Sequence, residues 1–191
     1  SSTRLKNKVL LNLKGKTILQ RVYEQCQKVK DVDTYIATDS VKVKNSCEAF
    51  TNNIIMTSTE HMSGTDRIAT ANTKLGRDFV INVQADEPMV ERFHLQSLIE
   101  GIDNAQKSMS TLATPFANEE DFYDPNQVKV VVDQEGRALY FSRAPIPHSR
   151  EHAKGEFSLI DPIPLKHLGM YAYEKNFLQS FVNSPLGKLE K

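Results

Sequence analysis

Up to about Asn104, apolar positions follow two alternating rhythms. Phe79 to Val83 is a short, β-branched run that turns abruptly polar at Gln84-Ala85-Asp86-Glu87-Pro88. Such a run suits a strand buried on both faces. Upstream, Thr17 caps a helical pattern reaching about Lys30, with Ile18, Leu19, Val22, Tyr23, Cys26 and Val29 on one face. Thr34 to Thr38 reads as a strand ended by Asp39-Ser40, Val41 to Phe50 as a helix with Val43, Cys47 and Phe50 inward, and Ile54 to Met56 as a strand. Thr57 to Gly64 is a polar loop, Thr65 is the expected cap of a helix to about Leu75, and another helix spans about Glu91 to Asn104. Strand and helix at this spacing predict βαβ units, with a mostly parallel sheet covered by helices on both faces.

The rhythm then changes. Ser110 to Thr114 is a strand ended by Pro115, and Asn118 to Asn126 reads as an acidic loop. Val128 to Val132 and Ala138 to Ser142 flank Asp133-Gln134-Glu135-Gly136, a hairpin signal with glycine in the turn. Ala144 to Pro164 holds four of the eight prolines and is expected to be irregular. His167 to Tyr173 alternates as a strand, Lys175 to Asn183 is a helix, and Ser184-Pro185 opens another. The expectation is one α/β domain over 1–191 with an antiparallel β-rich insertion at 110–175.

A chain of 191 residues, 39% hydrophobic, can bury the core of a single domain. Lys plus Arg and Asp plus Glu both number 24, so no global charge draws the chain to nucleic acid or to a membrane. Anion binding must therefore be local. Cys26 and Cys47 are too few for a disulfide framework or a Cys-rich zinc site, which fits a reducing, cytoplasmic setting. No apolar run reaches the length of a membrane span and no signal peptide is visible.

Four groups of residues could carry chemistry. Arg4 and Lys8, in a Ser/Thr-rich segment, could cradle phosphate; the plain alternative is a solvated basic loop. In His61-Met62-Ser63-Gly64-Thr65-Asp66-Arg67, glycine permits close backbone approach and the hydroxyls could bond a base or ribose; taken alone, an ordinary loop and helix cap is the better reading. Asp86, just past the carboxyl end of a strand, lies where ligands sit in open α/β sheets and could hold Mg²⁺; otherwise it starts a helix. Arg143 suits bidentate capture of a carboxylate, and His167 and Tyr171, four apart in a strand pattern, share a face. A structural histidine and a packed aromatic are their plain alternatives. His148 and His152 lack a zinc-like context and read as surface. No Walker or GxGxxG motif is present.

Taken in register, five segments resemble the sugar nucleotidyltransferase family, and within it the 3-deoxy-manno-octulosonate (KDO) cytidylyltransferases. They are Ser1-Ser2-Thr3-Arg4-Leu5 with Lys8, Ser63 to Arg67, Val83 to Pro88, Tyr140 to Pro147 and His167 to Tyr173. The resemblance spans nearly the whole chain. It implies the Rossmann-like nucleotide-diphospho-sugar transferase fold and transfer of CMP from CTP to KDO, giving CMP-KDO and pyrophosphate for lipopolysaccharide synthesis. It further implies Mg²⁺ as cofactor and a homodimer joined through the β-rich second half. Carried over by position, Arg4 and Lys8 hold the triphosphate, Ser63, Gly64 and Thr65 line the nucleotide pocket, and Asp86 ligates Mg²⁺. Lys8 and Asp86 are then the catalytic pair, while Gln84, Arg143, His167 and Tyr171 face the sugar acid.

The sequence departs from the family in places. Lys6-Asn7 and Val9 replace prolines and a glycine of the first loop, and Ala85 stands where glycine is usual. The family's first strand and a second Mg²⁺-binding aspartate have no counterpart within 1–191. Two rival readings remain: a cytidylyltransferase for 8-amino-KDO or sialate, and a catalytically silent binding or assembly protein on the same fold.

Overall fold

The computed structural model describes residues 8–103, 107–148, 157, 163–185 and 187. The chain divides into two compact units, Ser1–Ser110 with Met170–Lys191, and Thr111–Gly169.

In unit one, Lys8–Leu10 forms a 3-10 turn, and β1 (Asn12–Leu13) and β2 (Lys16–Thr17) pair antiparallel. Their turn places Gly15 at φ 86, a region where only glycine is unstrained. Thr17 caps α1 (Ile18–Cys26) by accepting the Gln20 amide at 3.1 Å, as the sequence suggests. The helix stops at Cys26, short of Lys30, and the chain goes on through turns, with Asp31 at φ 62. Val29 still reaches the core. β3 (Ile36–Thr38), α2 (Val41–Cys47) and β4 (Ile54–Met56) follow, and β3 and β4 pair in parallel. This is the expected βαβ unit. Leu19, Tyr23, Ile36, Val43 and Cys47 form its buried core.

Helix α3 (Gly64–Leu75) is capped by Ser63, which corrects the expectation of Thr65. The Ser63 hydroxyl accepts the Asp66 amide at 3.1 Å, and the Asp66 carboxylate accepts the Ser63 amide at 2.9 Å. This reciprocal capping box satisfies two donors that a helix start leaves open. β5 (Phe79–Asn82) then pairs antiparallel with residues 171–174 of β9 (Leu165–Glu174). The expected double-sided burial of β5 is only partial: Phe79 is 53% exposed, Val80 and Ile81 are half-buried, and Asn82 is buried. The described parallel pairing is that of β3 with β4, and the ladder of β5 is antiparallel. Helix α4 (Arg92–Asp103) buries Leu95, Leu98 and Ile102, and α6 (Lys175–Val182) joins Leu178 to Ala69 and Tyr173.

In unit two, β7 (Lys129–Val132) and β8 (Ala138–Ser142) form the predicted hairpin, with Gly136 at φ 75 in its turn. β7 also pairs antiparallel with Leu165 and Lys166 of β9. The acidic stretch is not all loop. Asn118 caps α5 (Glu119–Tyr123), whose first turn is wholly acidic and so complements the helix dipole. Phe122 packs edge-on against Phe116 at 5.5 Å. β6 (Met109–Pro115) and β9 carry the chain from one unit to the other. The segment expected to be irregular is described at 144–148, 157 and 163–164; Arg4, His152 and most of the final helix lie outside the described residues.

Candidate functional site

Within unit one an opening of about 1290 Å³ runs along β3 and β5, lined by core residues such as Leu19, Val22 and Val80 and, at the carboxyl ends of the two strands, by polar groups. Lys8, Asp39, Ser63, Gly64, Gln84 and Asp86 are on its wall. The sequence sets these groups close together through the core beneath them. Val9, Leu10 and Ala85 all pack on the cluster of Leu19, Tyr23, Ile36, Val43 and Cys47. The residues just before Val9 and just after Ala85 are therefore held over one patch. There the Lys8 ammonium donates to Asp86 Oδ2 at 3.1 Å, with both side chains little more than two-fifths exposed. Asp86 sits in a turn closed by the Glu87 amide on the Gln84 carbonyl at 3.2 Å.

Gly64, at the start of α3, stands beside Gln84: a β-carbon there would lie 3.6 Å from Gln84 Nε2. The Ser63 hydroxyl is committed to Asp66, accepting its amide and donating to its carboxylate at 2.8 Å. Thr65 bonds the phenol of Tyr173, which burial and the neighbouring Tyr171 push above the ordinary tyrosine range. Tyr171 is half-buried, pairs in register with Asn82, and stacks on Tyr173 at 5.9 Å. Burial raises its pKa as well.

Two residues of this wall carry structure that the sequence reading did not assign. Arg67 donates to Asp39 Oδ2 at 2.8 Å, to Thr57 Oγ1 at 2.6 Å and to the Ser58 carbonyl at 3.3 Å. It ties the exits of β3 and β4 to α3. The Asp39-Ser40 strand end and the arginine of the Ser63–Arg67 motif were visible, but their pairing across 28 residues was not.

Unit two holds Arg143 and His167. Arg143 is exposed at the end of β8 and donates through Nη1 to the Pro125 carbonyl at 3.0 Å. His167 meets Thr111 Oγ1 through Nε2 at 2.9 Å and packs edge-on against Phe141 at 4.8 Å. Burial lowers its pKa, which favours the neutral imidazole near pH 7. Of the candidates, then, the structure gathers Lys8, Ser63, Gly64, Gln84 and Asp86 at one cleft, with Thr65 and Tyr171 elsewhere in the same unit. Arg143 and His167 belong to the other unit.

The donor set at the cleft bears on a metal. Among the described residues no three His, Cys, Asp or Glu side chains converge to hold an ion. A lone half-exposed carboxylate nonetheless fits Mg²⁺, which keeps several waters and completes its shell with substrate phosphates.

A family model described as cytidylyltransferase matches residues 1–191. The chain belongs to the cytidylyltransferase family. Among its relatives is the 3-deoxy-manno-octulosonate cytidylyltransferase of Francisella tularensis subsp. novicida (strain U112), 43% identical over 194 residues. That match covers 100% of this chain and 77% of the relative. The enzyme of the same description from Thermodesulfovibrio yellowstonii is 42% identical over 199 residues, covering 100% and 78%. The solved structure of CMP:2-keto-3-deoxy-manno-octonic acid synthetase complexed with CTP superposes with a TM-score of 0.88 at 37% identity, over 98% of this chain and 76% of that one. The mixed α/β fold of this cytidylyltransferase is thus the nucleotidyltransferase fold that the sequence motifs imply.

Proposed function

We propose that this cytidylyltransferase transfers CMP from CTP to KDO, releasing pyrophosphate, and that it serves lipopolysaccharide synthesis in the cytoplasm. The Lys8–Asp86 pair at the end of β5 is the observation that carries the reading. It joins a cation suited to phosphate and a carboxylate suited to a divalent metal at one cleft. The full-length matches to KDO cytidylyltransferases support the choice of substrates.

In the reaction a hydroxyl oxygen of KDO forms a bond to the α-phosphorus of CTP. The bond from that phosphorus to the bridging oxygen breaks, pyrophosphate leaves, and the hydroxyl proton passes to water. Such a transfer demands alignment and charge neutralisation and no protein nucleophile. Lys8, with Arg4, neutralises the triphosphate. The backbone at Ser63 and Gly64, with Thr65, borders the nucleotide. Asp86 would hold Mg²⁺, which when bound supplies Lewis-acid neutralisation of phosphate charge. Arg143 pairs with the sugar-acid carboxylate, whose fork geometry it matches. Gln84, His167 and Tyr171 contact the sugar.

We also propose a homodimer through unit two. Leu139, Tyr140 and Phe141 of β8 are 66%, 53% and 40% exposed, an apolar density that suits a protein contact. The buried free thiols Cys26 and Cys47 agree with a reducing compartment. No described helix is long and apolar enough to cross a membrane.

Pyrophosphate release tests the function directly. Release is expected from CTP plus KDO with Mg²⁺, and its loss on adding a chelator. Sialic acid in place of KDO is expected to react poorly, and parallel assays with KDO and 8-amino-KDO decide between those two sugar acids. No CTP-dependent release with KDO would overturn the reading.

A further inference from the structure

Unit two contains a cation where none is expected. Lys129 opens β7, and no part of it reaches solvent. An ammonium in such a place is costly unless every donor is met. All three are met, and all by backbone. Lys129 Nζ donates to the carbonyls of Asp124 at 2.7 Å, Gln127 at 3.0 Å and Arg143 at 3.0 Å. The ring of Phe116 lies 5.9 Å from the same nitrogen. No described ion pair includes Lys129, and the Asp124 carboxylate acts on it only from beyond direct contact. Desolvation lowers its pKa, the charge of the Asp124 carboxylate opposes that, and the like charge of Arg143 adds to it.

The partners give the arrangement its meaning. Asp124 and Gln127 belong to the turn that follows α5, and Arg143 directly follows β8. Pro125, inside the same turn, accepts the Arg143 guanidinium at 3.0 Å. Arg143 is thus held twice, its carbonyl by Lys129 and its side chain by the turn that Lys129 anchors. Nη1 of the guanidinium is spent on this, while the residue stays exposed and able to take an anion. We propose that Lys129 is a positioning residue for Arg143, an internal clamp that aims the guanidinium at the carboxylate of the sugar-acid substrate. The inference rests on the reading of Arg143 given above.

Lys129→Met fills the same space with no donor, and Lys129→Gln keeps a shorter donor. Each is compared with the unsubstituted full chain, in the wild-type and the Arg143→Ala backgrounds, after circular dichroism has verified folding. The expected result is a rise of about tenfold in KM for KDO, the worth of one charge-assisted hydrogen bond, with KM for CTP changed less than about twofold. In the Arg143→Ala background the Lys129 substitutions are expected to add nothing, since coupled residues are not additive. Equal rises in both KM values, a loss confined to kcat, or additive effects would overturn the clamp. So would failure of both variants to fold, because Lys129 would then serve the fold alone. If Arg143→Ala raises KM for KDO while the Lys129 variants do not, the clamp fails and the reading of Arg143 stands. If Arg143→Ala leaves that KM unchanged, the reading of Arg143 fails first and takes the clamp with it.

Discussion

The Lys8 ammonium meets Asp86 Oδ2 at 3.1 Å across 78 residues of chain. Both side chains remain partly in water, and pairs of that kind contribute only about 0–1 kcal/mol to folding. The contacts that bring them together lie below, where Val9, Leu10 and Ala85 pack on the core of the βαβ unit. The pair is therefore carried by the fold and adds little to it. Two opposite charges left half-solvated at a cleft can be separated cheaply by a ligand that offers phosphate to one and a cation to the other.

Asp86→Asn should separate chemistry from stability. The thermal midpoint is expected to stay within about 4 °C of the parent, as for any exposed pair. Turnover should fall at least about a hundredfold, the scale on which loss of one charge-stabilising group acts. Calorimetry and pyrophosphate release on the same preparation provide the check. A variant that kept most of its activity would remove Asp86 from the assigned role.

The cap of α3 offers a purely structural prediction. Ser63→Ala leaves the Asp66 amide without its acceptor, and such losses cost about 1 kcal/mol. For a chain of this size the thermal midpoint should drop by about 2–4 °C. Ser63→Thr keeps the oxygen and should recover most of the loss. If the alanine and threonine variants melted together, the capping box would contribute nothing.

These cases show what could be read from the chain and what could not. Signals confined to a few residues were legible. Thr17 capped the helix it precedes, and Asp133 to Gly136 made the turn between β7 and β8. The cap of α3 was misplaced by two residues because Ser63 and Thr65 both offer a hydroxyl. The choice is made three residues further on. Ser63 finds the Asp66 carboxylate there, and Thr65 would find Ile68. Helix α5 hid in an acidic run, since its formation depends on Phe122 reaching Phe116. The burial of Lys129 was not legible in the run Val128 to Val132, because the carbonyls that permit it come from residues as far away as Arg143. Arg67 and Asp39 lie beyond the reach of any local pattern. For the candidate site, motif order supplied the residues; only the folded chain shows which of them share a cleft.

The two thiols give a third test. Cys26 and Cys47 are buried, and desolvation pushes each from an ordinary 9.0 up to about 11. A rise of that size leaves about a hundredfold less thiolate at any pH below the ordinary value, and thiolate is the reactive form. The native protein at about pH 8 is expected to react with a disulfide reagent at least about a hundredfold more slowly than the protein in guanidinium, where both thiols should appear. Equal rates would place at least one thiol at the surface.

His167 makes stability depend on pH in a definite direction. Its folded pKa lies below the ordinary 6.5 because the ring is desolvated in unit two, between Phe141 and Thr111. Between the folded value and 6.5 the unfolded chain binds the additional proton, so stability rises with pH across that window. The contribution is complete above 6.5, and it is lost as pH falls from 6.5 toward the folded pKa. Urea midpoints should decline from about pH 7.5 to about 5.5, and His167→Gln should flatten part of that slope. The two proteins differ only at this residue, so the difference between the two slopes belongs to His167. Proton resonances of the imidazole provide the independent measure: the His167 midpoint is expected below 6.5. A midpoint at or above that value would mean the ring is better solvated than its contacts with Phe141 and Thr111 imply, and the slope should then be unchanged by the substitution.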